Sequence, residues 1–416
     1  METLDHAVLS TQYLVSACLS VRSRNGASYQ IAHLLTGKQY QITSDVVRIL
    51  TTLQKATPAD DLYASLPDLP PAAIDRALQF LLTEKLIVDA SNSTNEDLFH
   101  VNQLTHRLFS LPDHQRNSDE PGLVFIGVPY GGGNGISSGC EQFPAAVRAY
   151  TKSQKINFSA DANLGNIHFR GLHTARAPTN LTERMRQGQL RDWGDLLFFP
   201  FESATEVYAK ISRAVRLTLE RGQVPMLMGG DHSISYAGIR AVAEHYGAIQ
   251  VIHFDAHCDT YESGYNRLYA RKGAHSHGTF MLRCLELPGL KRVTQVGLRG
   301  FSNISQHDTS KRQILWAEDV RNALASHTLP IIPNDLPVYV TFDIDVLDPS
   351  VAPGTATPVP GGFTYDEVCR LLDNLLPGKR IVGLDLVEVN PDRDPGQITV
   401  QMAAQLLLLL ANYVHI

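Results

Sequence analysis

The sequence predicts an α/β protein: residues 120–416 form a three-layer αβα sandwich on a parallel sheet, preceded by a small, mainly helical domain over residues 1–115. Three observations predict it. Beyond residue 122, short apolar runs alternate with amphipathic stretches of helical period. In the first hundred residues the clearest apolar periodicity is that of short helices. Between these regions, residues 114–122 read His-Gln-Arg-Asn-Ser-Asp-Glu-Pro-Gly, a polar stretch ending in Pro-Gly that marks a linker.

In the first region, Ser44 or Asp45 is placed to cap a helix carrying Val46, Val47, Ile49, Leu50 and Leu53. Thr57-Pro58-Ala59-Asp60 has the spacing of a capping box, with proline at the first helical position. Pro70-Pro71 opens a third helix with Ile74, Leu78, Leu81 and Leu82 on one face, and Leu86-Ile87-Val88 follows as a strand. Three short helices and a strand look like a winged helix. Phosphate binding needs several cations on one face. Here the third helix offers only Arg76 and Lys85, with Asp60, Asp61, Asp68 and Asp75 in the same segment, so no nucleic-acid partner is expected. The region resembles small winged-helix domains attached to peptide-modifying enzymes, which hold a leader peptide; an assembly or lid domain is an equal alternative.

In the second region, apolar runs at 123–128, 196–199, 225–228, 249–254, 293–296, 338–342 and 381–386 read as strands. Amphipathic stretches at 204–219, 237–246 and 365–376 read as helices between them. In such sheets the chemistry gathers beyond the carboxyl ends of the strands.

Composition narrows the class. Hydrophobic residues make up 44% and charged residues 19%, with a net charge of −6 and no cationic block, which is ordinary for a globular protein and gives no nucleic-acid footprint. The acidic start, Met-Glu-Thr-Leu-Asp, is unlike a secretory signal. The apolar run at 403–411 falls short of the roughly 20 residues of a membrane span and reads as a buried helix. Five scattered cysteines without C-x-x-C spacing suggest reduced thiols in a cytoplasm and no thiolate metal site.

Three predicted strands each run into a motif of Asp, two of them with His as well. Gly229-Gly230-Asp231-His232-Ser233 follows the strand at 225–228, and Asp255-Ala256-His257-Cys258-Asp259 follows 249–254. Asp343-Ile344-Asp345-Val346-Leu347-Asp348-Pro349 follows 338–342. Residues two apart in an extended segment point the same way, so Asp255, His257 and Asp259 are expected to converge, as are Asp343 and Asp345. One such pair would pass as a helix cap or turn. Four buried carboxylates would repel each other, at a cost of several kcal/mol each without compensation. The set, with His232, therefore predicts cations. It is oxygen-rich, which suits Mn²⁺ better than Zn²⁺, and six ligands exceed what one ion uses when a water must remain. Cys258 reads as small buried filler, and His253 and His275 as structural or as supports behind the ligands.

Gly-Gly-Asp-His-Ser, Asp-Ala-His-x-Asp and Asp-x-Asp-x-x-Asp-Pro, in this order, resemble the ureohydrolases, the family of arginase and agmatinase. The likeness runs from Leu123 to the C-terminus and includes Gly127-Val128-Pro129, the stretch from Phe143 to Arg148, and Asp192-Trp193-Gly194-Asp195. It implies an arginase-like fold and hydrolysis of a guanidino group to urea and a primary amine. It implies two Mn²⁺ ions, with Ni²⁺ an alternative because some relatives use it. Asp255 and Asp343 would bridge the ions; His232 and Asp259 would complete one site, His257 and Asp345 the other. His277, in Ser276-His277-Gly278-Thr279, matches a proton-shuttling histidine, and Asp259 would accept a hydrogen bond from the tetrahedral centre. Glu388, in Leu386-Val387-Glu388-Val389-Asn390-Pro391, matches the carboxylate that holds the guanidinium, and Thr357 lines the pocket floor or simply turns the chain before Pro358. A homo-oligomer is implied, a trimer or hexamer, or a dimer given the added domain.

The substrate is less determined. His277-Gly278-Thr279 looks more like agmatinases, Glu388-Val389-Asn390-Pro391 more like arginases. The segment 260–276 is long and carries Arg267, Arg271 and Lys272, which would receive a carboxylate or a peptide, or else lie on the solvated surface. Ordinary family members lack residues 1–115. The expected partner is therefore a small guanidino compound or an arginine within a peptide, which would become ornithine. A single-zinc deacetylase would need fewer ligands, and a non-catalytic metal-binding scaffold would have no use for His277 or Glu388.

Overall fold

The computed structural model describes residues 11–16, 19–25, 28–33, 38–90, 100–101, 106–111, 120–134, 139–153, 184–185, 187–198, 202–261, 275–301 and 310–415. The chain divides into two compact units, Met1–Gln103 with Leu197–Phe201, and Leu104–Leu196 with Glu202–Ile416. The linker residues 114–119 and the cations Arg267, Arg271 and Lys272 lie outside the described residues.

The smaller unit has the three expected helices, α1 (Ser44–Thr52), α2 (Ala59–Ser65) and α3 (Pro71–Thr83). Their apolar residues Ile49, Leu50, Leu62, Ile74, Leu78 and Leu81 are buried in one core with Leu53, Leu86 and Ile87. The predicted capping box does not form. Thr57 lies in a two-residue strand, its hydroxyl donating to Thr52 O and Lys55 O, and Pro58 takes the N-cap position of α2 without a side-chain cap. Strands supply more of this unit than the helical signals announced. β1 (Gln12–Val15) pairs antiparallel with both β5 (Thr57–Pro58) and β6 (Ile87–Asp89). β2 (Leu19–Asn25), β3 (Ser28–His33) and β4 (Gln39–Thr43) form a second antiparallel sheet. A two-residue strand β7 (His100–Val101) follows.

Among the described residues, the larger unit carries eight parallel strands. In sequence they are β8 (Leu123–Gly127), β9 (Leu190–Leu196), β10 (Val224–Met228), β11 (Ile249–Phe254), β12 (Leu290–Leu298), β13 (Arg312–Trp316), β14 (Val338–Asp343) and β15 (Ile381–Val387). In space they run β13-β12-β11-β14-β15-β10-β8-β9. The middle strands are buried along their whole length, as a sheet covered on both faces requires. One face packs Phe125, Met226, Met228, Ile252, Phe254, Val340, Phe342 and Leu384 with the apolar sides of α4 (Phe143–Ser153), a helix at Tyr365–Leu375 and the C-terminal helix Ile398–Asn412. The other is covered by a helix at Ile234–Tyr246, whose Gly238 lies so close to Tyr339 that a Cβ would come within 2.4 Å of its hydroxyl. Helix, sheet and helix make the three layers.

Two sequence expectations are corrected. The strand expected at 196–199 is β9, which ends at Leu196, so that Asp192-Trp193-Gly194-Asp195 lies inside the sheet. β13 was not expected, because Arg312 and Gln313 on an edge break the apolar pattern. The apolar run at 403–411 is indeed a buried helix, and no described helix is long and apolar enough to cross a membrane.

Arg148 of α4 ties the β8–β9 end of the sheet. Its Nε and Nη2 donate to the two oxygens of Asp192, each at 2.8 Å, and its Nη1 donates to Asp195 Oδ1 at 2.5 Å. The pair is buried, but Asp192 also accepts from Leu108 N and Gly194 N, so its lone pairs are used. Gly127 leaves room for this: a Cβ there would fall 1.7 Å from Asp195 Oδ1. Gly127→Ala is therefore expected to lower unfolding free energy by about 2–4 kcal/mol, by overpacking and by displacing a partner of Arg148. A denaturant midpoint equal to wild type would contradict this.

Candidate active site

Four neighbouring strands, β11, β14, β15 and β10, end on one rim of the sheet. Asp255, His257 and Asp259 follow β11; Asp343 ends β14 and Asp345 follows it; Glu388 follows β15; His232 follows β10. The three motif-bearing strands are thus not consecutive in space, because β15 lies between β14 and β10 and brings Glu388 among them.

The convergence is made by turns rather than by extended alternation. The chain leaves β11 through a bend and adopts left-handed backbone at Asp259 (φ 49°), unusual for a residue with a Cβ. The Asp259 carbonyl then accepts Met281 N and Leu282 N. Asp345 sits in a 3₁₀ turn, its N–H donating to Asp343 Oδ1 at 2.8 Å and its Oδ1 accepting Ala256 N at 3.1 Å. Glu388 is also left-handed (φ 61°), and its N–H donates to Gly230 O.

Two groups of ligand atoms result. His232 Nδ1 lies 3.1 Å from Asp255 Oδ2, 3.3 Å from Asp259 Oδ2 and 3.0 Å from Asp343 Oδ2. His257 Nδ1 lies 2.9 Å from Asp345 Oδ2 and 3.4 Å from Asp255 Oδ1. Asp255 alone, among the described residues, belongs to both groups.

His253 also lies within ligand distance of the first group, but both its nitrogens are committed. The Gln295 amide donates to His253 Nδ1 at 2.9 Å, so His253 Nε2–H donates to Asp255 Oδ2 at 2.7 Å. It orients Asp255 rather than offering a lone pair. His275 packs against the rings of Tyr208 and Tyr236.

His232 is held for the opposite purpose. Thr341 Oγ1 donates to Asp385 Oδ1 at 2.7 Å, so its oxygen accepts His232 Nε2–H at 2.9 Å. His232 Nδ1 is thereby directed at three carboxylates, yet it and Asp345 Oδ2 are buried with no hydrogen-bond partner. Burial opposes charge on His232 and His257, but the surrounding carboxylates hold both imidazoles well above their ordinary pKa. Burial, with Asp345 and Asp255 beside it, pushes Asp343 up. A carboxylate cage that draws protons this strongly is one that cations fit. Sequence reasoning missed Thr341 and Asp385; the available signal was two polar residues inside otherwise apolar buried strands. Thr341→Val removes the acceptor that fixes His232. It is expected to weaken metal affinity about 10- to 100-fold, measured by metal titration of the stripped protein. Unchanged affinity would contradict the relay.

The groups open onto a pocket of about 190 Å³ lined by His232, His257, Asp259, Tyr261, His277, Gly278, Asp343, Thr357 and Glu388. All nine sequence-selected residues therefore gather here, Asp255 and Asp345 lying just behind the wall. Glu388 is buried, and its Oε1 accepts His232 N at 2.9 Å. Burial pushes its carboxyl up to about 7, against the pull of His277. His277 Nδ1 donates to Gly133 O at 2.9 Å, which leaves Nε2 as the ring nitrogen not taken by that bond, on a residue that lines the pocket. Burial alone would lower its pKa, but Glu388 and the Gly133 carbonyl outweigh this and raise it.

Residues 121–411 match the model of the arginase family. An agmatinase of Proteus mirabilis is 33% identical over 301 residues, covering 71% of this chain and 88% of that protein. An agmatinase of Cronobacter sakazakii is 34% identical over 295 residues, covering 68% and 85%. Among solved structures, the proclavaminate amidino hydrolase of Streptomyces clavuligerus superposes with a TM-score of 0.59 at 27% identity, covering 75% of this chain and 97% of that one. The arginase of Medicago truncatula gives 0.55 at 27% identity, covering 70% and 87%. With the fold, the rim of His and Asp and this match over most of its length, the chain belongs to the arginase family and is an enzyme of the ureohydrolase class.

Proposed function

We propose that the enzyme hydrolyses a guanidino group to urea and a primary amine at a two-metal centre. The observation that carries this is a buried carboxylate, Glu388, lining one small pocket together with residues of two His/Asp groups that share Asp255. His232, Asp255, Asp259 and Asp343 would hold one divalent ion, and His257, Asp255, Asp343 and Asp345 the other. The oxygen-rich set favours Mn²⁺, with Ni²⁺ the alternative. Such a pair, when bound, supplies Lewis-acid activation of water near neutral pH.

The side chains divide the remaining work. Glu388 pairs with the planar cation and fixes its orientation. Asp259 accepts a hydrogen bond from the tetrahedral centre that forms when water adds to the guanidino carbon. As the carbon–nitrogen bond to the leaving amine breaks, His277 passes a proton to that nitrogen from Nε2, its Nδ1–H remaining on Gly133 O. Thr357 forms part of the pocket wall. A non-catalytic scaffold would need neither Glu388 nor His277.

The agmatinase relatives favour a small guanidino substrate such as agmatine. A second reading rests on residues 1–120, which lie outside the family match. In it the N-terminal unit is a winged-helix-like domain, taken as residues 1–115, that presents a peptide whose arginine becomes ornithine. We further propose that the enzyme acts in the cytoplasm as a homo-oligomer and binds no nucleic acid. The deciding experiment measures urea from the Mn²⁺-loaded protein with agmatine, arginine, guanidinobutyrate, guanidine and arginine-containing peptides. Urea from one small compound fixes the substrate; urea from peptides alone makes the N-terminal unit the recognition device; urea from none overturns the proposal.

A further inference from the structure

Asp231 precedes His232 and is as deeply buried, yet it belongs to neither ligand group. Its Oδ2 accepts Gly133 N at 2.6 Å and Asn134 N at 3.1 Å, and its Oδ1 accepts Ser233 N at 2.9 Å. All three partners are donors, so the position calls for a side chain that only accepts. An amide would set N–H against N–H.

The turn that Asp231 holds touches the reacting residues. Gly133 O accepts both His277 N, at 3.2 Å, and His277 Nδ1, at 2.9 Å. Asn134 Nδ2 stands 3.5 Å from Glu388 Oε2. The turn has little freedom of its own: a Cβ on Gly133 would lie 2.2 Å from Ser233 Oγ and 2.5 Å from Asp231 Oδ1. We infer that Asp231 is a positioning residue, whose carboxylate sets the turn at 131–134 so that the Gly133 carbonyl fixes the ring of His277 through Nδ1. The inference rests on the proton-transfer role proposed above for His277.

The test is a double-mutant cycle on the full-length, metal-loaded enzyme, using whichever guanidino substrate the urea panel identifies. Asp231→Asn is expected to retain two ions per chain and to lower kcat about 100-fold, as a misplaced catalytic group does. In a His277→Asn background the same substitution is expected to cost less than about fivefold, because no imidazole remains to be oriented. Costs that multiply, or a wild-type kcat for Asp231→Asn, overturn the inference. A merely structural role would lower thermal stability and metal loading without this coupling. If Asp231→Asn does not fold or load metal, Gly133→Ala takes its place: it keeps the carboxylate but displaces the turn, and the same coupling or multiplication decides. If His277→Asn itself leaves kcat unchanged, the role of His277 fails, and the inference with it. If His277→Asn is impaired and the costs multiply, only the inference fails.

Discussion

Asp255→Asn is expected to give a folded chain that carries less than one metal ion per subunit and releases urea at least about a thousandfold more slowly. Asp255 is common to both ligand groups, so its loss reaches both. Each of its oxygens is already committed on the protein side, Oδ1 to His257 N at 2.5 Å and Oδ2 to His253 Nε2–H at 2.7 Å. An amide must therefore turn its NH₂ toward one of these donors. The substitution removes a unit of charge and also forces one neighbour away, either His257 or the His253 that aligns the carboxylate. Elemental analysis after desalting, with urea assays on the same sample, checks both parts. Two retained ions with normal turnover would remove Asp255 from the centre.

The contrast with Thr341→Val shows how much of this site could be read from the sequence. Asp255, His257 and Asp259 lie within five residues, and each of the three motifs is contiguous, so residue type and spacing exposed them together. The relay from Asp385 through Thr341 to His232 joins two strands and the turn after a third, with its members 44 and 109 residues apart. Neither threonine nor aspartate inside an apolar run announces which neighbour it will meet. The same limit applies to Gly133, whose carbonyl reaches a histidine 144 residues away.

The fold was legible to the degree that burial dictated pattern. Strands covered on both faces, such as β11 and β14, need continuous apolar runs and were found nearly to the residue. β13 lies at an edge and is only partly buried, so nothing required it to be apolar. The strands before Ser44 escaped for a similar reason: polar residues outnumber apolar ones in β2 and β4, so the local pattern is weak. The route by which ligands converge was misjudged, because left-handed backbone at Asp259 and the turn at Asp345 depend on neighbours that a single sequence does not display.

Glu388→Gln is expected to do the opposite of Asp255→Asn to the metal and the same to the rate. The side chain belongs to neither ligand group, and the amide keeps its shape and an acceptor for His232 N, so two ions should remain bound. What disappears is the negative charge. A guanidinium brought into this pocket leaves water, and only a charged partner offsets that desolvation; a neutral amide leaves a buried cation unpaired. Breaking such a pair costs about 3–5 kcal/mol, and at about 1.4 kcal/mol per tenfold, kcat/KM should fall by roughly a thousandfold. Because Glu388 also orients the reacting carbon, the loss should appear in kcat as well as in KM. Glu388→Asp separates the two contributions: it keeps the charge but withdraws it by one methylene, so binding should recover more than turnover. Metal content equal to wild type with unchanged kcat/KM in Glu388→Gln would mean that the guanidinium is held elsewhere, and the pocket would have to be read again from His277 outward.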